Sequence, residues 1–244
     1  RILGRDISDV KMHSRIGYCP ENPYFYDYLK ARELMNYFGE LFGMDAARRN
    51  RRTEELLTKV GLDEKDWNKQ LRKFSKGMLQ RVGLAQALIN EPEIVFLDEP
   101  MSGLDPIGRR EIRELISDLR TNGTTVFMST HILSDIEALC DRVAILRNGK
   151  LAATGILDEL LSNSGETQIY EITVKGVSAE VLQNEIKNIS GGSVAAKPNG
   201  ATVSVLDEKD IDKVLPIIRN GGGRLISIQP VRQSLEELFV KETN

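Results

Sequence analysis

Cysteine is scarce in this chain: Cys19 and Cys140 are the only two in 244 residues. That excludes a disulfide framework and fits a reducing compartment. No apolar run approaches the ~20 residues that a membrane-spanning helix needs. A large charge excess is also lacking. Lys and Arg total 33 against 36 Asp and Glu, a net charge of −3, which argues against broad nucleic-acid or lipid electrostatics. The pattern G-x-x-x-x-G-K-[ST] occurs nowhere; Gly149-Lys150 is followed by Leu151, with no glycine-rich loop before it. What is present is ordinary for a globular protein, 41% hydrophobic and 28% charged, and long enough for one large domain or two modest ones.

The most informative stretch runs from Glu93 to Asp105. Ile94, Val95, Phe96 and Leu97 form a short, wholly apolar run, the pattern of a strand buried on both faces of a parallel sheet. Asp98 and Glu99 follow at once, and Pro100 stops the strand. Ligands of open α/β sheets bind outside the carboxyl ends of the strands. Two adjacent acids there are costly unless a metal ion or a proton sits between them.

Just upstream stands Phe74-Ser75-Lys76-Gly77-Met78, followed by apolar positions at helical spacing: Leu79, Val82, Ala85, Leu88 and Ile89. Ser75 caps the expected helix, and Gly77 allows close backbone approach. A capped helix start is an anion site, because its free N–H groups and its dipole point outward. An anion cradle thus precedes a metal-grade carboxylate pair.

At these residues the sequence resembles the ABC-type ATPases, the motor subunits of ABC transporters. Phe74 to Met78 is similar to the signature motif Leu-Ser-Gly-Gly-Gln, keeping the serine and the second glycine. Ile94 to Glu99 resembles the Walker B strand with its glutamate. Ser102-Gly103-Leu104-Asp105 matches the D-loop, and Ser129-Thr130-His131 the switch histidine motif. All four occur in the family's order and at its spacing.

The resemblance implies an α/β, P-loop NTPase-like parallel sheet over residues 1–165, with a helical subdomain at 30–90, and ATP and Mg2+ as cofactors. Asp98 would hold Mg2+, Glu99 would orient or deprotonate the attacking water, and His131 would contact the γ-phosphate. Ser75, Lys76, Gly77 and Met78 would contact the γ-phosphate bound by a second ATPase subunit, identical or different. Asp105 would couple the two sites. Glu21 stands where the family usually carries a glutamine that touches the metal; it is either a metal contact or a plain loop acid. The aromatic segment Tyr24, Phe25, Tyr26, Tyr28 and Leu29 is either internal packing or a partner surface. The resemblance implies that the region from Glu21 to Leu29 meets a transmembrane permease, with the subunit cytoplasmic and peripheral on the inner membrane face. No nucleic-acid partner is implied.

Residues 1–7 resemble the strand that follows the phosphate loop in this family. The expectation is that the first strands and the phosphate-binding lysine lie upstream of Arg1, so that the 244-residue chain alone does not hydrolyse ATP. Competing readings are a soluble ABC-type ATPase acting away from membranes and a non-catalytic ABC module. An intact Glu99 and His131 argue against the second.

Elsewhere the pattern predicts helices at 32–42, with Leu34, Tyr37, Phe38 and Leu41 inward, and at 46–60, with Leu56, Leu57 and Val60 inward and Gly61 as its C-cap. Arg48, Arg49, Arg51 and Arg52 read as a solvated helix face. A helix at 109–121 buries Ile112, Leu115, Ile116 and Leu119, and one at 132–138 points Asp135 and Glu137 to solvent. Asn148-Gly149 is a hairpin turn.

After an expected linker at 163–165, residues 166–244 alternate as βαββαβ, the ferredoxin-like plan. Strands are expected at 168–175, 193–196, 201–206 and 224–229, the first and last or their neighbours being central. Helices are expected at 179–189, with Val181, Leu182, Ile186 and Ile189 inward, at 209–220, and at 234–241. Asn199-Gly200 signals a type I′ turn. Leu182, Ile186, Val214, Ile217 and Ile218 are the expected core. No catalytic constellation appears there, so an accessory, regulatory role is expected.

Overall fold

The structure, a computed structural model, describes residues 1–6, 8–162, 169–187, 189 and 191–231. The linker at 163–165 and the helix at 234–241 lie outside the described residues. Two compact units are found, Arg1–Leu139 and Cys140–Asn244.

The first unit is built on three parallel strands, β1 (Ile16–Cys19), β2 (Ile94–Asp98) and β3 (Thr125–Ser129), in the order β1-β2-β3. Its register sets Cys19, Leu97 and Met128 side by side and Asp98 opposite Ser129. One face carries Gly17, Cys19, Val95, Leu97, Val126 and Met128 into the main core. The other presents Tyr18, Phe96 and Phe127 in one row, with Tyr18 and Phe127 exposed and the Phe96 and Phe127 rings 5.6 Å apart. β2 is therefore fully buried on one face only, unlike the expectation of burial on both: Val95 and Leu97 are buried while Ile94 and Phe96 are half-buried.

Between β1 and β2 lie three helices, α1 (Ala31–Leu41), α2 (Ala46–Lys59) and α3 (Lys76–Ala87). Asp45 caps α2, and Gly61 leaves it in the left-handed region at φ +72°. Leu56, Leu57 and Val60 are buried as the periodicity predicts. In α1 the inward stripe is Ala31, Leu34 and Met35 with Phe38 packed beside it; Tyr37 and Leu41 are exposed. The arginine run on α2 is solvated only in part: Arg48 and Arg51 are exposed as expected, while Arg49 and Arg52 are half-buried. Arg49 donates to the Met44 carbonyl, Arg52 donates to the Leu88 carbonyl, and Arg48 pairs with Glu91. Long side chains lie along the surface and finish on carbonyls that the neighbouring segments leave open.

α4 (Pro106–Thr121) follows β2, with Asp105 as N-cap and Pro106 in the first turn, where its missing N–H costs nothing. Ile112, Leu115 and Ile116 are buried beneath it, and Leu119 packs against the same core. Burying each such side chain contributes about 1.5–3 kcal/mol. α5 (Leu133–Leu139) follows β3.

In the second unit β4 (Arg142–Arg147) and β5 (Lys150–Ile156) pair antiparallel. Their turn is Asn148-Gly149, with φ +49° and +73°, as a type I′ turn requires. α6 (Leu157–Ser162) comes next. β6 (Ile169–Lys175), β7 (Ser193–Lys197), β8 (Gly200–Val205) and β9 (Arg224–Val231) form an antiparallel sheet of order β7-β8-β6-β9. With α7 (Ala179–Ile186) and α8 (Glu208–Asn220) this is the βαββαβ order of a ferredoxin-like unit. Leu182, Ile186, Val214 and Ile218 are buried together, and Ile217 packs against them. Three details differ from expectation. β8, not the 224–229 strand, is central beside β6, and β9 is an edge. Val181 is exposed, because α7 turns Leu182 and Ile186 inward instead. Asn199 and Gly200 do not have positive φ. Gly200 is instead a strand residue, and a Cβ there would collide with the Val174 carbonyl oxygen of β6.

Candidate active site

β2 and β3 end side by side, and the side chains at their ends form one hydrogen-bonded group. Ser129 Oγ donates a short bond to Asp98 Oδ1. The Glu99 N–H donates to the Ser129 carbonyl and to Ser129 Oγ, both at 3.2 Å. Glu99 itself sits in the left-handed region, φ +45°. A bulky non-glycine residue there stores strain of order 1–3 kcal/mol, and the two bonds from its N–H hold it in place. The turn points its carboxylate at the histidine: His131 Nδ1 donates to Glu99 Oε1 at 2.8 Å. With the carboxylate ionised, Nδ1 carries the hydrogen and Nε2 is left available. The His131 side chain is 79% exposed and that of Glu99 19%. The pair thus lies at the rim, with the carboxylate sheltered and the imidazole facing out.

Two loops flank this group. Ser75 Oγ accepts the Met78 N–H at 3.2 Å, capping α3 as predicted. The N–H groups of Lys76 and Gly77 have no partner within the helix and point from its positive end. Met78 is half-buried and packs on the core. Lys76 Nζ donates to Ser102 Oγ at 3.1 Å, and the Lys76 carbons lie over Gly103, whose φ is +74°. A Cβ at Gly77 would stand 3.1 Å from the Gly103 carbonyl oxygen, so the close approach that Gly77 permits is to this loop. Ser102 N–H in turn donates to the Glu99 carbonyl at 2.9 Å. Asp105 Oδ1 accepts the Gly108 N–H at 2.9 Å. The two loops are therefore in direct contact, and one of them leads back to Glu99.

The structure brings together Asp98, Glu99 and His131, and separately Ser75, Lys76 and Gly77 with the Ser102–Asp105 turn. Glu21 lies exposed after β1, with no hydrogen bond or ion pair of its side chain among the described residues. Ser129, to which its motif alone assigns no contact, joins Asp98 to Glu99. Its signal was its place at the end of an apolar strand, within the same motif as His131. Behind the site Cys19 is fully buried next to Gln80, and burial, with the Asp98 charge as a smaller contribution, pushes its thiol up to about 12.

No group of three or more His, Cys, Asp or Glu side chains gathers among the described residues. A Mg2+ ion does not require one, since it is commonly held by one or two carboxylates together with substrate phosphate oxygens. Asp98, a hard oxygen donor fixed by Ser129 at the mouth of the sheet, fits that chemistry.

On one side of β1 a groove of about 320 Å3 is lined by Tyr18, Pro23, Tyr24, Phe25, Phe38 and Phe42. Tyr24 is 97% exposed, and Tyr26 and Tyr28 are also exposed, with the Arg72 guanidinium 5.3 Å from the Tyr28 ring. Phe25 and Leu29 pack on the core instead.

A parallel sheet ending in a carboxylate pair with a facing histidine, beside a capped helix in contact with a Ser-Gly-Leu-Asp turn, is the arrangement that the resemblance to the ABC-type ATPases implies. The comparisons agree. The family model described as ABC transporter matches residues 1–102. An uncharacterized ABC transporter ATP-binding protein of Synechocystis sp. is 44% identical over 242 residues, covering 99% of this chain and 66% of that protein. The linearmycin resistance ATP-binding protein of Bacillus subtilis is 30% identical, with 99% of this chain and 78% of that protein covered. A dimeric ATP-binding cassette solved in a post-hydrolysis state with ADP and Pi superposes with a TM-score of 0.57 at 26% identity, over 63% of this chain and 68% of that one. The chain belongs to the ABC transporter family of ATP-binding subunits. It spans about two thirds of the length of the cyanobacterial relative. Among the described residues no helix is long and apolar enough to cross a membrane.

Proposed function

We propose that this chain is the greater part of an ATP-hydrolysing motor subunit that powers export through a separate membrane permease. The observation that carries the reading is the Glu99–His131 hydrogen bond beside Asp98 at the end of the parallel sheet. Phosphoryl transfer needs an aligned water and charge neutralisation more than covalent chemistry. Glu99 takes the hydrogen bond of the attacking water and accepts its proton. His131 donates an Nε2–H to the γ-phosphate while its Nδ1–H keeps the Glu99 carboxylate oriented, a role that needs a hydrogen on both ring nitrogens. Asp98, with Glu21 as a candidate second carboxylate, would hold Mg2+, which would supply charge neutralisation at the phosphates. The α3 N-terminus, with Ser75, Lys76, Gly77 and Met78, faces the nucleotide of a second subunit, identical or different, and Asp105 lies on the loop between the sites. ATP then stabilises the closed pair and hydrolysis releases it.

Several observations support this arrangement. The superposed cassette is described as dimeric and bound to ADP and Pi. The linearmycin resistance relative is named for a resistance function, as an export motor would be. The exposed tyrosines and groove near Glu21 to Leu29 suit an apolar helix end of a permease, since aromatic anchors dominate such contacts. On this reading the subunit is cytoplasmic and peripheral to the membrane, and the ferredoxin-like unit, proposed to form a domain over residues 166–244, tunes catalysis without performing it.

The test is Glu99→Gln in a chain carrying a phosphate loop ahead of Arg1. ATP binding should persist while turnover falls at least about a hundredfold, since the amide keeps the shape and loses the basicity. Near-normal turnover would remove Glu99 from the role.

A further inference from the structure

Asp135 lies in the first turn of α5, four residues after His131, and it is fully buried rather than turned to solvent. Its Oδ1 accepts two hydrogen bonds from Arg113 of α4, one from Nε at 2.7 Å and a shorter one from Nη2. Its Oδ2 is buried with no hydrogen-bond partner among the described residues. Removing a carboxylate from water for one guanidinium gains little net stability and often loses some. What such a pair does supply is a fixed geometry. The Asp135 N–H donates to the Ile132 carbonyl at 3.0 Å, and the Ile132 N–H donates to Thr130 Oγ1 at 3.1 Å. The turn that carries His131 is thus closed on itself and braced at Asp135. Arg113, at the other end, stands on the helix that Asp105 caps.

We propose that Arg113 and Asp135 form a strut that positions His131 against Glu99 and ties that position to α4 and the Ser102–Asp105 turn. Both are positioning residues, because neither reaches the reacting atoms. A shift of α4 is transmitted through the guanidinium to Asp135, and from there to the imidazole. The loop facing the second subunit and the switch histidine then move as one element. The proposal rests on the roles given above to Glu99 and His131.

The experiment is a kinetic cycle in a chain carrying a phosphate loop ahead of Arg1: Asp135→Asn, His131→Ala and the double variant. Misplacing a catalytic group by about 1 Å costs up to about a hundredfold. Asp135→Asn should accordingly lower kcat by about tenfold or more, with KM for ATP changed less than about twofold. The double variant should be no slower than His131→Ala alone. Arg113→Lys, which keeps the charge and loses the fork, should fall between Asp135→Asn and the parent. If Asp135→Asn does not fold, Arg113→Lys and Arg113→Gln enter the same cycle with His131→Ala. A parental kcat for the strut variants, with His131→Ala impaired, would overturn the strut and leave the site reading standing. Losses that multiply in the double variant would also overturn it, since they would place Asp135 in an independent role. Full turnover by His131→Ala would overturn the site reading and the strut together.

Discussion

Ser129 and Asp98 face each other across the parallel register of β2 and β3, and the serine hydroxyl donates to the carboxylate. The same serine receives the Glu99 N–H at both its carbonyl and its hydroxyl. One residue on β3 therefore holds the metal-grade acid and the strained turn of the proposed base. Ser129→Ala removes the hydroxyl that donates to Asp98 and one of the two acceptors of the Glu99 N–H, and leaves the backbone bond to the 129 carbonyl. Turnover should fall about tenfold or more, by loss of positioning, while Ser129→Thr, which keeps the hydroxyl, should lose less. Steady-state ATPase assays of the two variants check this.

Lys76 stands where the family pattern has glycine, and its ammonium and its carbons do different things. The ammonium reaches Ser102 Oγ, and the carbons cover Gly103. Lys76→Met keeps the cover and loses the bond; Lys76→Ala loses both. Hydrogen exchange at the 102–104 amides should rise modestly in the first and more in the second, because a surface contact of this kind contributes about 1 kcal/mol or less. Equal exchange in all three proteins would show that the lysine does not hold the turn.

Cys19 should be inert in the native protein. Its thiol is fully buried and pushed up to about 12, first by burial and then by the Asp98 charge. The thiolate is the reactive form, so iodoacetamide at pH 8 should label Cys140, which is partly exposed, and spare Cys19 until the chain unfolds. The folded value lies above the usual 9.0. The preference for the folded thiol is thus complete below the unfolded pKa and is lost as pH rises from there toward 12. Rapid native labelling at Cys19, read by mass spectrometry, would contradict its placement.

Gly200→Ala should destabilise the second unit by about 1–3 kcal/mol, the usual cost of overpacking. The new methyl group meets the Val174 carbonyl of the adjoining strand. Chemical denaturation of the chain, followed through the second unit, measures the loss.

The sequence showed some of these features and hid others for physical reasons. β2 was legible because an apolar run ending in Asp98-Glu99-Pro100 permits few alternatives, and α3 because Ser75 caps it. Asp135 was not. An acid in a short amphipathic helix reads as solvated, and its partner Arg113 lies 22 residues away, so only the fold brings them together. Arg49 and Arg52 of α2 were hidden in the same way, since the Met44 and Leu88 carbonyls that receive them lie outside that helix. Asn199-Gly200 carries the right letters for a tight turn, but the sheet uses that glycine for close strand approach. Asn148-Gly149, with no such neighbour within reach of its glycine, folds as its letters suggest.

Complementation measures most directly whether each site is completed by two subunits. Glu99→Gln subunits lack the proposed base, and Ser75→Arg subunits lack the helix start proposed to serve the partner, so each should be nearly inactive alone in a chain carrying a phosphate loop. Mixed, half the dimers should pair the two variants, and each of these contains one site with both Glu99 and Ser75 intact. Activity should return to roughly a quarter of the parental value on random pairing of a two-fold dimer. Mixed samples that remain as inactive as the separate variants, although both still bind ATP and dimerise, would contradict a shared site.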